Sequence, residues 1–362
     1  MQTSPTSAAP TLAQATYVLP LKLSQAADGE LTSYLRRLGS MIEVIVVDGS
    51  APDVFAAHAT LWDGAVRHLP VRSNTLNGKV AGVCDGVLAA RTAYVVIADD
   101  DVRYDASMLR NVVERLADHD AVVPQNYFDP LPWHARWDTG RSLVNRAFAL
   151  DYAGTLGVRR EAFLVAGGYC GAVLFENLEL LRTLRARGFD VHHAQDVFVA
   201  RRPPEAAQFT RQRVRQAYDS LAQPGRLAME LSVLPVLSAA WLSGRRRGRA
   251  TSALGVAAVQ VSVGAFALAE VGRRRSGGTR VFERSAALWA PLWTVERAVC
   301  SWLALASLAR GGARYAGHRL GLAAHRSSAL EAAARTRPMS CPAADCSCRL
   351  VLRDVAPRRP HE

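Results

Sequence analysis

Two apolar runs that end in carboxylates constrain this chain more than any other feature. IEVIVVDGS (42–50) and AYVVIADDD (93–101) are apolar on both faces of an extended strand. Such strands need cover above and below, as in a parallel sheet packed between helices. The segments around them supply that cover. Residues 28–40 place apolar side chains at helical spacing, with Asp28 as N-cap and Gly39 as stop. Residues 80–92 and 107–119 also read as helices, and 15–23 and 121–125 as further strands. The alternation predicts a layered α/β domain that binds its ligands at the carboxyl ends of the strands. Beyond it, 126–175 is less regular, 178–188 reads as a helix, 189–200 as a strand and 209–223 as a basic amphipathic helix.

Charge is distributed unevenly. The chain has 362 residues and a formal net charge of +12, with 49% hydrophobic and 21% charged residues, which excludes a disordered or disulfide-rich small protein. The first 225 residues are nearly neutral, and the excess lies entirely after them, carried by Arg. This second part also holds three apolar segments. Residues 227–242 are short for a bilayer span and are interrupted by Glu230 and Pro235, whereas 250–269 carry no charge over a length close to the ~20 residues a crossing needs. Residues 285–309 have Glu296–Arg297 at their centre, which favours an interfacial position. The Arg-rich linkers 244–249 and 272–284 cannot both lie inside if the helix between them crosses. Basic residues beside apolar segments suit anionic lipid headgroups, so the reading is membrane association and no nucleic acid. Residues 1–16 lack the basic and apolar regions of a secretory signal, which places the α/β part in the cytoplasm at the cell membrane. The expected organisation is a flexible 1–14, an α/β domain over 15–225, membrane-associated helices over 226–310, and a basic juxtamembrane segment with a disordered tail over 311–362. Cys341, Cys346 and Cys348 in that tail do not have zinc-site spacing.

Asp99, Asp100 and Asp101 end a buried strand. Adjacent carboxylates repel one another, and a divalent cation relieves that repulsion; hard oxygen donors select Mg²⁺ or Mn²⁺. Asp99 and Asp101 alternate to one side and so can share a metal, or with Asp100 meet it through its diphosphate ligand; a solvated acidic turn is the plain alternative. Asp48, at the end of the preceding strand, is placed to accept from a nucleobase N–H or a ribose hydroxyl, though Asp-Gly is also an ordinary turn. Asn77-Gly78-Lys79 opens a helix where backbone N–H groups and a lysine meet a phosphate, or is simply a helix-starting loop.

VVDGS, NGKVAGVCDGVLAA and VVIADDDV, in that order and spacing, resemble a family 2 glycosyltransferase of GT-A fold. The resemblance continues through FLVAGGYCGAVLFENLELLRTLRARGFDV (163–191). RQRVRQAY (211–218) is similar to the QxxRW element of the membrane-bound branch, which includes ceramide glucosyltransferases and polysaccharide synthases. It implies a nucleotide-sugar donor bound through a metal, inversion at the anomeric carbon, and contacts from Gln212 and Arg215 to the donor diphosphate. It also places Trp133, Trp137 and Asp138 where acceptor contacts lie, although packing explains the tryptophans better. Two positions depart from the family pattern. Asn177 stands where the family has the Asp that serves as base, so that role passes to Glu176 or Glu179, or the acceptor needs no base. Gln216 replaces the Trp of QxxRW, which speaks against a processive polymerase. The expected activity is metal-dependent hexosyl transfer to a lipid or lipid-linked acceptor of the cell envelope. The alternatives are transfer to a polyprenyl phosphate and an inactive nucleotide-sugar-binding membrane scaffold.

Overall fold

The computed structural model describes residues 9–149, 154–315 and 317–336. The chain begins with β1 (Ala15–Leu21), α1 (Gly29–Gly39), β2 (Glu43–Asp48), α2 (Pro52–Leu61), β3 (Arg67–Pro70), α3 (Gly78–Ala89) and β4 (Tyr94–Ala98). Their strands pair in parallel in the order β3-β2-β1-β4. Next come β5 (Val102–Arg103), α4 (Ala106–Arg115), β6 (Ala121–Phe128), α5 (Trp133–Ala147), β7 (Thr155–Arg159), α6 (Arg160–Ala166), α7 (Glu176–Ala186) and β8 (Val191–Arg201). These complete an eight-stranded mixed sheet, β3-β2-β1-β4-β7-β6-β8-β5, in which β7 runs antiparallel to both β4 and β6.

Burial on both faces is what the apolar runs require. Val44 and Val46 face one core with Leu35 of α1 and Leu109 and Val112 of α4. Ile45 and Val47 face the other, with Val83 and Val87 of α3 and Leu180 and Leu184 of α7. The helix ends follow local chemistry. Asp28 caps α1 by accepting from Leu31 N at 2.8 Å, and Asn77 caps α3 by accepting from Lys79 N at 3.2 Å.

After the sheet run α8 (Ala206–Ala217), a short 3₁₀ turn over Tyr218–Ala222, α9 (Pro224–Arg246), α10 (Ala250–Arg274), α11 (Ala290–Ala309), β9 (Ala313–Tyr315), β10 (His318–Leu320) and α12 (Ser327–Thr336). α9 and α10 form an antiparallel hairpin, and both are long and apolar enough to cross a membrane. Val256, Val259 and Val263 on α10 and Val236 and Leu242 on α9 are exposed. At 25 residues, α10 is about 37 Å long.

Several elements differ from the sequence reading for tertiary reasons. The stretch 227–242, read as too short to span, belongs to a 23-residue helix that continues through Pro235. Its Glu230 is buried, with Arg226 Nε at 2.9 Å and Ser301 Oγ at 2.6 Å, so the charge sits against protein. The Glu296–Arg297 pair on α11 is likewise partnered by the α/β domain, Glu296 with Arg213 and Arg297 with Asp219. Within the irregular stretch 126–175 lies α5, a 15-residue helix containing Gly140. A Cβ at Gly140 would come within 3.0 Å of the backbone of Trp289 and Ala290, and one at Gly272 within 1.8 Å of Leu143 O. Close approach to α11 and α10, rather than helix propensity, explains these glycines. Of the segment expected as a juxtamembrane stretch and tail (311–362), the described part up to residue 336 folds back on the α/β domain as β9, β10 and α12, and 337–362 lie outside the described residues. Leu174 N donates to Leu322 O at 3.0 Å and Phe175 N to Ala323 O at 2.9 Å. Residues 1–8 and the three tail cysteines lie outside the described residues.

Candidate active site

A cleft of about 1230 Å³ opens at the carboxyl ends of β1, β2 and β4. Asp48, Lys79, Asp99, Asp100, Asp101, Glu176, Gln212 and Arg215 all line it. Glu179 does not. It is fully buried, its carboxylate accepting from His325 N at 2.8 Å and pairing with His325 Nδ1 at 2.6 Å. Glu179 therefore clamps the returning C-terminal segment onto α7.

The three aspartates are compensated in part by protein cations. Arg201, at the end of β8, donates through Nε to both oxygens of Asp101 at 2.8 and 2.9 Å, and its Nη2 lies 3.4 Å from Asp99 Oδ2. The antiparallel pairing of Val102 with Arg201 holds that guanidinium against the acidic turn. Arg201 was not foreseen from the sequence; the only signal was an Arg pair closing a strand. Lys79 Nζ bridges Asp99 and Glu176, with Glu176 Oε1 at 2.6 Å. Burial works against the Lys79 ammonium, but Asp99 and Glu176 outweigh it and hold its pKa above the usual lysine value. Asn77 Nδ2 also donates to Glu176, at 3.3 Å.

The Asp100 carboxylate is in no ion pair among the described residues; its hydrogen bond is to its own backbone N–H. Desolvation, followed by the neighbouring Asp101 and Asp99, raises its pKa above the usual aspartate value. Four carboxylates thus face two cations here. The remaining negative charge, on hard oxygen donors in an open cleft, fits a divalent cation.

Asp48, at the cleft edge, is held by protein groups. Its Oδ1 accepts from Ser50 N at 2.8 Å, and its Oδ2 meets His58 Nδ1 at 2.6 Å and His68 Nε2 at 3.0 Å. His58 Nε2 accepts from Ala27 N at 3.0 Å, so the His58 proton lies on Nδ1 and points at Asp48. Desolvation raises the Asp48 pKa, but the Ser50 and His58 hydrogen bonds prevail and hold it low. Asp48 thus ties α2 and β3 to β2 at the cleft edge.

On the opposite wall, α8 presents Gln212 and Arg215, and the Arg215 guanidinium lies 5.7 Å from the ring centroid of Tyr315. Arg213 turns inward, donating to Asp138 Oδ1 at 3.0 Å and Glu296 Oε2 at 2.9 Å. Burial opposes ionisation of Asp138, but Arg141 and Arg213 dominate and hold its pKa well below the usual range. Trp137 Nε1 donates to Glu296 at 3.1 Å, whereas Trp133 is 52% exposed.

Residues 30–179 match the family described as Glycosyl transferase family 2, a span that runs from α1 to Glu179 and contains the acidic turn, Lys79 and Glu176. The chain carries a family 2 glycosyltransferase domain. With its mixed sheet, that domain is a GT-A fold for nucleotide-sugar glycosyl transfer. Among solved structures, the chain is similar to the mannosyltransferase PcManGT from Pyrobaculum calidifontis in complex with GDP-Man and Mn²⁺. The two share 19% identity with a TM-score of 0.49, covering 83% of this chain and 90% of the other. A structure described as a mycobacterial protein aligns with 16% identity and a TM-score of 0.39 over 54% of this chain and 70% of the other. No curated protein matches the sequence.

Proposed function

We propose that this family 2 domain is an inverting, metal-dependent hexosyltransferase that moves one sugar from a nucleotide sugar to a lipid or lipid-linked acceptor. It works at the cell membrane with its cleft on the cytoplasmic side. The observation that carries this reading is the position of the acidic cleft. Its wall includes Arg297 of α11, which pairs there with Asp219 of the turn before α9, so the cleft borders the apolar helical layer built by α9, α10 and α11.

Asp99 and Asp101 would hold Mg²⁺ or Mn²⁺, which supplies charge neutralisation to the departing diphosphate. Gln212 and Arg215 face the same space and add hydrogen bonds and positive charge to that leaving group. Arg201 and Lys79 fix the rotamers of the acidic turn before the donor arrives. Of the two glutamates, Glu176 is the one that reaches the cleft, so it is assigned to the acceptor side of the anomeric carbon.

The test is transfer from a panel of nucleotide sugars to membrane lipid extracts, with Mg²⁺, Mn²⁺ or EDTA. Asp101→Asn is expected to lower transfer by about a hundredfold. Full activity of Asp101→Asn would overturn the metal assignment, and nucleotide binding without transfer to any lipid would favour a scaffold.

A further inference from the structure

Cys170, Glu179 and His325 meet at the seam where the C-terminal segment returns to the α/β domain. The Cys170 Sγ, a Glu179 carboxylate oxygen and a His325 ring nitrogen all lie within 4.8 Å of one another. Two consecutive glycines with positive φ, Gly167 and Gly168, turn the chain after α6 and bring Cys170 to α7. Cys170 and Glu179 are buried and His325 is half-buried, and none of the three lines the cleft. The one ion-pair partner of Glu179 among the described residues is His325. Arg182 Nη1 fixes the main chain there by donating to His325 O at 2.6 Å.

A buried carboxylate is normally paired with a full positive charge or bound to a metal. A neutral imidazole supplies no such charge. One thiolate and one carboxylate balance a divalent cation, so Cys170, Glu179 and His325 make a neutral set around it. Thiolate with imidazole selects Zn²⁺ over the Mg²⁺ or Mn²⁺ that suits the acidic turn. Zinc bonds of about 2.0–2.3 Å in a tetrahedron place the ligand atoms about 3.3–3.6 Å apart. Glu179 Oε1 and His325 Nδ1 stand at 2.6 Å. Movements of about 1 Å at the half-buried His325 end therefore seat the ion. Two hydrogen bonds already have the form found around metal ligands. Ala172 N donates to Cys170 Sγ at 3.4 Å, which favours the thiolate, and His325 N donates to Glu179 Oε2, which leaves Oε1 for the ion. The second cluster of this kind, Asp48 with His58 and His68, fails at the imidazole. Ala27 N occupies His58 Nε2 and keeps the proton on Nδ1, the atom that faces Asp48. No hydrogen bond reaches His325 Nε2 among the described residues, so that ring can carry its proton there and turn the Nδ1 lone pair to the metal.

We propose that Cys170, Glu179 and His325 form a Zn²⁺ site that fastens the C-terminal segment to the α/β domain. Binding releases the thiol proton to solvent and moves the imidazole proton from Nδ1 to Nε2, and a water completes the tetrahedron. The consequence reaches the cleft. The segment held at His325 carries Tyr315 and His318, which line the cleft, and Tyr315 Oη donates to Asn77 Oδ1 at 3.3 Å. On the domain side Gly171, next to Cys170, accepts from Asn77 N at 2.8 Å. One ion thus holds both the helix cap that presents Lys79 and the segment that meets it.

The test is zinc binding by the detergent-solubilised full chain, with millimolar Mg²⁺ present to fill the acidic turn and a chromophoric chelator as competitor. One Zn²⁺ per chain is expected. Loss of a group that merely orients a ligand costs about 10–100-fold in metal affinity, so Cys170→Ala should weaken zinc binding by at least about a hundredfold. His325→Gln, at the half-buried end, is the second variant and should weaken it by a similar factor. Co²⁺ in place of zinc reports the ligand type. A thiolate-to-metal charge-transfer band is expected in the wild type and is lost in Cys170→Ala. Cys341→Ser, Cys346→Ser and Cys348→Ser together should leave both the zinc and the band in place. Limited proteolysis reads the clamp: zinc should slow cleavage within 317–336 in the wild type and have no effect in either variant. No bound zinc, zinc that survives Cys170→Ala, or zinc lost with the three tail cysteines overturns the proposal. None of these readouts depends on sugar transfer, so the transferase reading stands or falls separately.

Discussion

Arg201→Met isolates the role of the cation that the sequence did not reveal. In the wild-type protein the guanidinium touches both oxygens of Asp101 and approaches Asp99, with side-chain exposures of 26% for Arg201, 28% for Asp101 and 21% for Asp99. At an effective dielectric of about 20, one ion pair near 4 Å is worth about 4 kcal/mol before desolvation. Removing one partner of a buried pair costs about 3–5 kcal/mol, and partial water access here reduces that to about 2–3 kcal/mol. Methionine keeps much of the volume, so the loss is electrostatic. For a domain of this size, at about 2–4 °C per kcal/mol, the expected drop in melting temperature is roughly 4–12 °C. The decisive readout is rescue. With its protein counter-charge removed, the acidic turn binds divalent cation more tightly, and millimolar Mn²⁺ or Mg²⁺ should restore more of the melting temperature in the variant than it adds to the wild type. The assay is thermal unfolding of the detergent-solubilised full chain, with EDTA or cation. An unchanged melting temperature, or a drop that cation does not repair, would refute the account of the acidic turn.

Two further outcomes follow from the site. Asp100 has a raised folded-state pKa, so the folded protein holds its proton to higher pH than the unfolded chain. Stability therefore falls as pH rises from the usual aspartate value near 3.8 through the folded pKa, and Asp100→Asn in EDTA should raise the melting temperature at neutral pH. That gain should vanish below pH 3.8; a neutral-pH loss would contradict the assignment. Glu179→Gln weakens the two contacts to His325, at a cost of about 1–3 kcal/mol. It should speed proteolysis within 317–336 well before the sheet domain is cut, and uniform resistance would show that Glu179 does not anchor this segment.

The sheet was legible because its strands are buried on both faces. Val44 to Val47 have no polar position, and such a run in a chain of this length has few solutions besides a covered parallel strand. The acidic turn was legible because three adjacent carboxylates after a buried strand demand compensation. α5 was obscured by Trp133, Asp138, Thr139 and Gly140, whose helical state is imposed by packing on α10 and α11. Charge in the last third was misleading in detail. Glu230, Glu296 and Arg297 look costly beside apolar residues, but each is answered by a group more than 60 positions away in the chain.

The layered α/β class, the carboxylates at the strand ends and the concentration of Arg and apolar residues after residue 225 can be read from the chain alone. These depend on periodicity and local composition, which are properties of short windows. How those groups are used is a property of the fold. It gave Asp101 to Arg201, Glu176 to Lys79, Asp48 to two histidines and Glu179 to His325. Hydrogen bonds and ion pairs act over about 3 Å, and distances of that kind between remote residues exist only once the chain has folded.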